Sequence, residues 1–167
     1  MWVYEPVIIR VPLHNRHRQV KLFISSAPAA KDLETYIDRI VKCGVQHVVK
    51  VCDVDYDSAN FSRHNVAFYD MNFADGSHPS SDIIQRWLQL CLNNTDQHKG
   101  IAIHCAAGLG RAPLMCGLLL IETGMSAIDA IELLRSHIRG CLNTKQINFL
   151  ISYCPSSRRK SHSCMIM

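Results

Sequence analysis

Residues 104–111 contain the side chains of this chain that are best suited to covalent chemistry. Cys105 and Arg111 are separated by five small or apolar residues, which are Ala106, Ala107, Gly108, Leu109 and Gly110. Small residues and glycines allow successive backbone N–H groups to turn inward and bind an anion. A helix that begins directly after such a loop adds its partial positive charge. The loop is therefore predicted to bind a phosphate group.

Cys105 and Arg111 would have complementary roles on a bound phosphate ester. The inward N–H donors stabilise a thiolate, which is a nucleophile at neutral pH, and a guanidinium can donate two hydrogen bonds to phosphate oxygens. A buried, inert thiol is the more common fate of a cysteine beside a strand. The spacing and the strand-loop-helix context nevertheless favour phosphoryl transfer through a phosphocysteine intermediate. His104 either orients the nucleophile or is a core histidine bonded to the backbone.

Cleavage of a phosphate ester also needs a proton for the departing oxygen, which a carboxylic acid on a loop can donate. Asp75 is the candidate, because it lies in the predicted loop over residues 70–79 and is followed by Gly76. Asp-Gly is also a common turn dipeptide, and Asp70 is expected to cap a turn at the end of a strand.

No metal site or cofactor is predicted. Asp53, Asp55 and Asp57 lack the glycine and the distal glutamate of a calcium loop, so we expect a solvated cluster at a strand end. The eight cysteines are irregularly spaced and form no C-x-x-C pair, which argues against structural zinc and against a compact disulfide framework. A reducing cytosol is the expected environment.

One α/β domain must position these residues, since 167 residues suffice for a single core. Strands are predicted over 20–24, 45–52, 66–69 and 100–104. Helices are predicted over 31–43, from Ser80 or Ser81 to 92, and over 114–122. Ser126 with Asp129 resembles a capping box for a helix to about 138, and Asn143 or Thr144 can cap another that ends near 155. This alternation predicts a central, mostly parallel sheet of four to five strands flanked by helices. The domain is expected over residues 1–154, followed by a flexible basic tail over 155–167.

Composition excludes several classes of protein. Hydrophobic residues make up 48% and charged residues 19% of the chain, as in an ordinary globular protein. The net charge of +4 permits attraction to phosphate-rich partners, but no interleaving of aromatic and basic residues indicates nucleic-acid binding. The longest apolar stretch is shorter than the about 18 residues that a membrane-spanning helix needs, and the first ten residues do not resemble a signal peptide.

The run from Cys105 to Pro113 resembles the signature of the cysteine-dependent protein tyrosine and dual-specificity phosphatases, and most closely the phosphatase of regenerating liver group, the type IVA protein tyrosine phosphatases. Residues 48–52, residues 139–146 and the C-terminal four residues share this resemblance. The resemblance implies that Cys105 is the nucleophile, Arg111 the phosphate-binding arginine and Asp75 the general acid. His104, Ala112 and Gln146 are assigned supporting positions.

Two further roles follow from the resemblance alone. Most relatives have serine or threonine directly after the arginine, where the hydroxyl donates a hydrogen bond to the leaving thiolate, and Ala112 lacks that donor. If this donor counts as much as one donor of an oxyanion hole, its absence lowers the rate of phosphoenzyme hydrolysis by ~10²- to 10³-fold. The phosphocysteine is therefore expected to form and to persist. The counterpart of Cys52 in the family pairs reversibly with the nucleophile, which implies a Cys52–Cys105 disulfide under oxidation. A packed, inert thiol is the alternative for Cys52.

The chain departs from the family pattern in two places. The family's acid loop, Trp-Pro-Phe-Asp-Asp-Gly, is replaced by Met71-Asn72-Phe73-Ala74-Asp75-Gly76. The tryptophan and proline that shape the loop are absent, which leaves its closure and the substrate preference open. The adjacent cysteine pair near the C-terminus is reduced to Ser163-Cys164.

The last four residues, Cys164-Met165-Ile166-Met167, fit a C-a-a-X prenylation box in which Met167 favours farnesyl. The preceding Arg158-Arg159-Lys160 supplies a second, electrostatic signal for an anionic membrane, at ~1 kcal/mol per residue. We therefore expect attachment to the cytoplasmic face of the plasma membrane and of endosomes, with a nuclear or cytosolic pool.

Two classes of function are compatible with these residues. The first is a slow, membrane-attached phosphatase that acts on a phosphorylated protein or on a phosphoinositide. The second is a binding module in which the phosphate loop docks an acidic loop of a partner. The resemblance implies the cystathionine-β-synthase domains of cyclin M type magnesium transporters as that partner, and it also implies a homotrimer.

Overall fold

The computed structural model describes residues 5–13, 18–94 and 99–156. Its five strands are β1 (Val7–Pro12), β2 (Gln19–Ser26), β3 (Val45–Lys50), β4 (Ala67–Asp70) and β5 (Gly100–Cys105). They form one sheet in the order β1-β2-β5-β3-β4. β1 is antiparallel to β2, and the other neighbours are parallel. The predicted α/β domain with a mostly parallel sheet of four to five strands is confirmed.

Among the described residues, six α-helices flank the sheet: α1 (Leu33–Lys42), α2 (Ala59–Arg63), α3 (Ser81–Asn93), α4 (Arg111–Glu122), α5 (Ala127–His137) and α6 (Thr144–Ser152). The side chains of Ser80, Ser126 and Asn143 cap α3, α5 and α6 by accepting a backbone N–H three residues later. Of the two alternatives that the sequence leaves open at α3 and at α6, Ser80 and Asn143 are the N-caps, and Ser81 and Thr144 are the first helical residues. None of the described helices is long and apolar enough to cross a membrane.

The sequence prediction misses two elements. In β1 only Ile9 and Val11 are buried, and the apolar Ile8 on the exposed side hides the alternation that would indicate a strand. The helix α2 has five residues, which is too short for a periodic apolar pattern. Both elements lie outside the region that forms the candidate site.

Several predicted boundaries are wrong by a few residues, among them the end of α6, which lies at Ser152 rather than near 155. The helix α4 begins at Arg111 rather than 114, because Gly110 is its N-cap, and all twelve of its residues are buried, so no apolar face marks its start. The strand β3 ends at Lys50 rather than 52, since its ladder with β5 ends at the pair Lys50 and His104. The predicted helix over 31–43 begins with a 3-10 turn, Ala30–Asp32, before α1.

The central strand β5 is buried along its whole length, with β2 and β3 on either side. One core cluster, which includes Ile103 and Cys105, lies on the face covered by α4. The other cluster, which includes Ala102, lies on the face covered by α1 and α2. In a parallel sheet of this kind, ligands bind beyond the carboxyl ends of the strands, and the end of β5 is where the predicted phosphate loop begins.

Candidate active site

Two glycines determine the path of the loop that joins β5 to α4. Gly108 has a φ of +72°, and a Cβ there would lie 3.0 Å from the carbonyl carbon of Ser25 and 3.1 Å from the nitrogen of Ser26. Backbone atoms in a sheet cannot move away, so only glycine fits. A Cβ at Gly110 would lie 3.3 Å from Nε2 of Gln146. The loop is therefore packed closely between the end of β2 and the start of α6.

Cys105 is the last residue of β5 and is buried, with 3% of its surface exposed. Its carbonyl oxygen accepts a hydrogen bond of 2.8 Å from the backbone nitrogen of Ala27, which fixes the strand end against the residue after β2. The N-terminus of α4 lies six residues further along the chain, at Arg111. The free N–H groups of a helix N-terminus favour negative charge, as a thiolate and a phosphate both require.

His104 lies on the opposite face of the sheet from Cys105, because successive side chains of a strand alternate. Its ring is fully buried among aromatic rings, and its Nε2 shares a hydrogen bond of 2.6 Å with the hydroxyl of Tyr56. Burial lowers the pKa of His104 to about 3, and the positive charge of Lys50 acts in the same direction. The imidazole is therefore neutral at physiological pH. Its partner is a side chain, and not the backbone that the sequence analysis considers.

The structure brings the side chains of Arg111 and Asp75 together. Arg111 Nη1 donates a hydrogen bond of 3.1 Å to the carbonyl oxygen of Phe73. Its Nε lies 3.2 Å from Asp75 Oδ1, and the Arg111 side chain is 8% exposed whereas that of Asp75 is 84% exposed. The Nε–H is not directed at the carboxylate, so Nε has no hydrogen-bond partner among the described residues. The loop over residues 71–77, here called the acid loop, thus contacts the first residue of α4.

The start of α6 holds the second half of the acid loop. Asn143 Nδ2 donates to the carbonyl oxygen of Gly76 at 3.0 Å, and Gln146 Nε2 donates to that of Ser77 at 3.3 Å. The two side chains also cap α6 reciprocally. The sequence analysis identifies Asn143 as a cap and Gln146 as a supporting residue. Their bonds to the acid loop join residues nearly seventy positions apart, for which the sequence carries no signal.

Leu142 connects the phosphate loop to α5. Its backbone nitrogen donates to the carbonyl oxygen of Leu109 at 2.9 Å, and its own φ of +66° is unusual for a residue with a branched side chain. Arg135 donates to the carbonyl oxygens of Cys141 and Leu142, at 3.2 and 3.3 Å. Arg135 is a supporting residue that the sequence analysis misses, since an arginine near a helix end is usually solvated.

Cys52 and Asp75 line one cleft of about 430 Å³ together with Arg111 and Ala106. Cys52 is buried, and its burial raises the pKa of its thiol, while the charge of Arg111 acts in the opposite direction. Cys52 and Cys105 are both free thiols. Two larger cavities, of about 530 and 710 Å³, are lined by none of these residues.

Asp53, Asp55 and Asp57 are all exposed, as the sequence analysis expects for a solvated cluster at a strand end. Asp53 lines the cleft of about 430 Å³ and accepts a hydrogen bond of 2.6 Å from Asn72 Nδ2. Within residues 5–13, 18–94 and 99–156, no group of side chains could hold a metal ion. Cys164 and the basic run 158–160 lie outside the described residues.

Comparison of the sequence and fold with those of known proteins shows the family to which the chain belongs. The protein-family model described as Swiss Army Knife protein, DSP-PTPase phosphatase domain, matches residues 18–159. The chain is 38% identical to the probable protein tyrosine phosphatase type IVA A of Dictyostelium discoideum, over 88% of this chain and 88% of that protein. It is 36% identical to protein tyrosine phosphatase type IVA 3 of Homo sapiens, over 88% of this chain and 86% of that protein. The chain belongs to the type IVA protein tyrosine phosphatases.

The structure of a putative protein tyrosine phosphatase from Leishmania major is similar to this type IVA phosphatase, with a TM-score of 0.79 and 31% identity, over 89% of this chain and 98% of that one. The type IVA phosphatase is therefore an enzyme with the fold of the cysteine-dependent phosphatases. The loop between β5 and α4 joins a buried cysteine, Cys105, to a buried arginine, Arg111.

Proposed function

We propose that this type IVA phosphatase cleaves phosphate esters through a phosphocysteine intermediate that breaks down slowly. The observation that carries the proposal is Ala112, which is the second residue of α4 and is completely buried directly after Arg111. A methyl group there cannot donate the hydrogen bond that a serine or threonine hydroxyl would give to a departing thiolate.

The first step transfers the phosphoryl group to the enzyme. The Cys105 thiolate attacks phosphorus, the bond from phosphorus to the ester oxygen breaks, and Asp75 gives its proton to that oxygen. The backbone N–H groups of residues 106–110 and the guanidinium of Arg111 stabilise the charge on the phosphoryl oxygens. Proximity of Asp75 Oδ1 to Arg111 Nε, at 3.2 Å, supports this assignment because it places the acid at the edge of the phosphate site.

The second step returns the free enzyme. Water attacks phosphorus, Asp75 accepts a proton from it, and the bond from sulfur to phosphorus breaks with the electron pair remaining on Cys105. Negative charge develops on the sulfur in this step. The missing donor at Ala112 therefore slows the second step more than the first, and phosphocysteine accumulates.

An Ala112→Ser variant tests the proposal. We expect breakdown of the phosphoenzyme to accelerate by ~10²- to 10³-fold, measured by rapid quench and mass spectrometry of the Cys105 peptide. Ala130→Ser is the matched control, because Ala130 is equally buried in a helix but lies in α5. A wild-type protein with no burst of product and no phosphorylated Cys105 would contradict the proposal.

We propose further that the protein is attached to the cytoplasmic face of membranes by a farnesyl group on Cys164 and by the basic run 158–160. The C-a-a-X sequence and the adjacent charges support this location. Cys164→Ser is expected to move the protein to the soluble fraction, whereas Cys154→Ser, which changes an exposed cysteine outside the box, leaves fractionation unchanged. Membrane association that survives Cys164→Ser would refute the lipid attachment.

Cys52 and Cys105 are proposed to form a disulfide on oxidation. Cys52 and Cys105 belong to the same core cluster, and Cys52 lines the cleft together with Arg111. Peptide mapping after mild peroxide treatment should show this pair, and the buried Cys91 and Cys116 should remain thiols. A Cys105 that is paired elsewhere or overoxidised to sulfinic acid would count against it.

The second candidate function is a binding module for an acidic loop of a cyclin M type magnesium transporter. Ala112 favours it, because a phosphate loop that releases phosphate slowly still presents its N–H groups and Arg111 to an anion. Cys105→Ser and Arg111→Ala separate the two functions. If the protein is a binding module, Cys105→Ser should abolish phosphate release and keep partner binding, whereas Arg111→Ala should abolish both. Loss of the partner in proportion to loss of phosphate release would favour the enzyme.

A further inference from the structure

We propose that Asp53 and Asn72 are positioning residues for the general acid, and that the hydrogen bond between them holds the acid loop in the position that places Asp75 beside Arg111. The inference rests on Asp75 being the general acid of the proposed function. Asn72 precedes Asp75 by three residues, and Asp53 lies beyond the end of β3, next to Cys52. Both line the cleft that contains Asp75 and Arg111.

The contact between the two side chains is short and has a defined orientation. Asn72 Nδ2 donates to Asp53 Oδ1 at 2.6 Å. A carboxylate only accepts hydrogen bonds, so the amide nitrogen of Asn72 must face it. The backbone nitrogen of Asn72 also donates to Asp70 Oδ1 at 3.1 Å. The side chain and the backbone of Asn72 are thus both fixed, three residues before the acid.

The remaining contacts of the acid loop show why this bond is needed. Arg111 bonds to Phe73 and lies beside Asp75, but the same guanidinium must turn its donors to the phosphate oxygens when substrate binds. The contacts of Asn143 and Gln146 hold only the residues after Asp75. On the side before Asp75, the backbone nitrogen of Met71 donates to the carbonyl oxygen of Lys50 at 2.9 Å. The bond between Asn72 and Asp53 is the next contact towards Asp75, and it too does not compete with phosphate.

The sequence of the loop points in the same direction. A proline at the position of Asn72, as in the family pattern, fixes its own φ and needs no side-chain partner. Asparagine has no fixed φ and adopts several backbone conformations. Holding the acid loop in one position therefore requires a contact from another segment at Asn72. Asp53 supplies it. The hydrogen bond between Asn72 and Asp53 thus restricts the loop at the position where a proline ring does so in the family pattern.

The test is the leaving-group dependence of phosphoenzyme formation, measured as the burst of alcohol in rapid quench. Asn72→Ala is expected to slow the burst about fivefold with a phosphate ester of a weakly acidic alcohol, the effect of one net hydrogen bond. With an ester of a strongly acidic phenol, which departs without a proton, the burst should be unchanged. A change that merely weakened the fold would slow both substrates alike.

Asp53 provides the conservative rescue. Asp53→Ala should reproduce the effect of Asn72→Ala, and the double variant should be no slower than either single one, since both remove the same bond. Asp53→Asn should restore most of the rate, because its amide oxygen still accepts from Asn72 Nδ2. Asn60→Ala is the control, since Asn60 Oδ1 accepts a comparable bond of 2.9 Å from Arg63 in α2.

Equal slowing of both substrates, additive effects of the two alanine substitutions, or no rescue by Asp53→Asn would each overturn the inference. These results are distinguishable from failure of the proposed function. A wild-type protein without a burst on either substrate would refute the phosphocysteine mechanism itself, and wild-type kinetics in Asp75→Asn would refute the role of the acid. Either result would remove the basis of the inference as well.

Discussion

The close approach of Gly108 to the end of β2 can be tested by adding one methyl group. Gly108→Ala places a Cβ 3.0 Å from the carbonyl carbon and 3.1 Å from the carbonyl oxygen of Ser25, at a φ of +72°. Gly140 is an internal reference, because its φ is +74° and a Cβ there would meet nothing within 4 Å. The two substitutions share the backbone penalty and differ only in the steric contact.

The expected free energies follow from these two contributions. A left-handed conformation costs an alanine about 1–2 kcal/mol, partly offset by the lower entropy of its unfolded chain, which leaves about 1 kcal/mol for Gly140→Ala. An additional methyl group against fixed backbone atoms costs ~1–3 kcal/mol more. Gly108→Ala should therefore lower the free energy of unfolding by about 2–4 kcal/mol in total.

Denaturant unfolding and calorimetric titration with inorganic vanadate measure the two consequences. If Gly108→Ala also displaces the loop, its backbone N–H groups no longer converge, and vanadate affinity falls well below that of the wild type. Gly140→Ala should keep the wild-type affinity. Equal destabilisation by the two substitutions, or unchanged vanadate affinity in Gly108→Ala, would refute the argument that the phosphate loop is shaped by contact with β2.

Three other predictions concern polar contacts of the fold. The depressed pKa of His104, about 3, means that below pH 6.5 the unfolded chain binds a proton that the folded chain does not. The contribution of His104 to the free energy of unfolding is therefore lost as pH falls from 6.5 towards 3. The free energy of unfolding of the His104→Gln variant should depend less on pH over that window than that of the wild type. Tyr56→Phe removes the bond to His104 Nε2 and should cost about 1–3 kcal/mol in denaturant unfolding. Arg135→Ala frees the carbonyl oxygens of Cys141 and Leu142, and should lower stability by a similar amount and increase hydrogen exchange at Leu142. Unchanged unfolding curves would contradict each of them.

The sequence by itself determined the parts of the site that lie within a few residues of one another. The spacing of Cys105 and Arg111, with small residues between a strand and a helix, predicts the phosphate loop because strand, loop and helix are contiguous. The caps at Ser126 and Asn143 can be predicted from the sequence for the same reason, since each joins a side chain to a backbone nitrogen three residues away. The central α/β sheet followed from the alternation of apolar strands and helices.

Tertiary structure alone decided which distant residues meet at that loop. The order of the strands places β3 beside β5 and so brings Cys52 and Asp53 to the cleft. The bonds from α6 to Gly76 and Ser77, and the one from Asn72 to Asp53, join segments that no local pattern relates. Local propensity depends on a few neighbouring side chains, whereas these contacts depend on how whole elements pack around one core. Asp53 is exposed, as its sequence context predicts, but its place at the cleft beside Asp75 and Arg111 is decided by the fold.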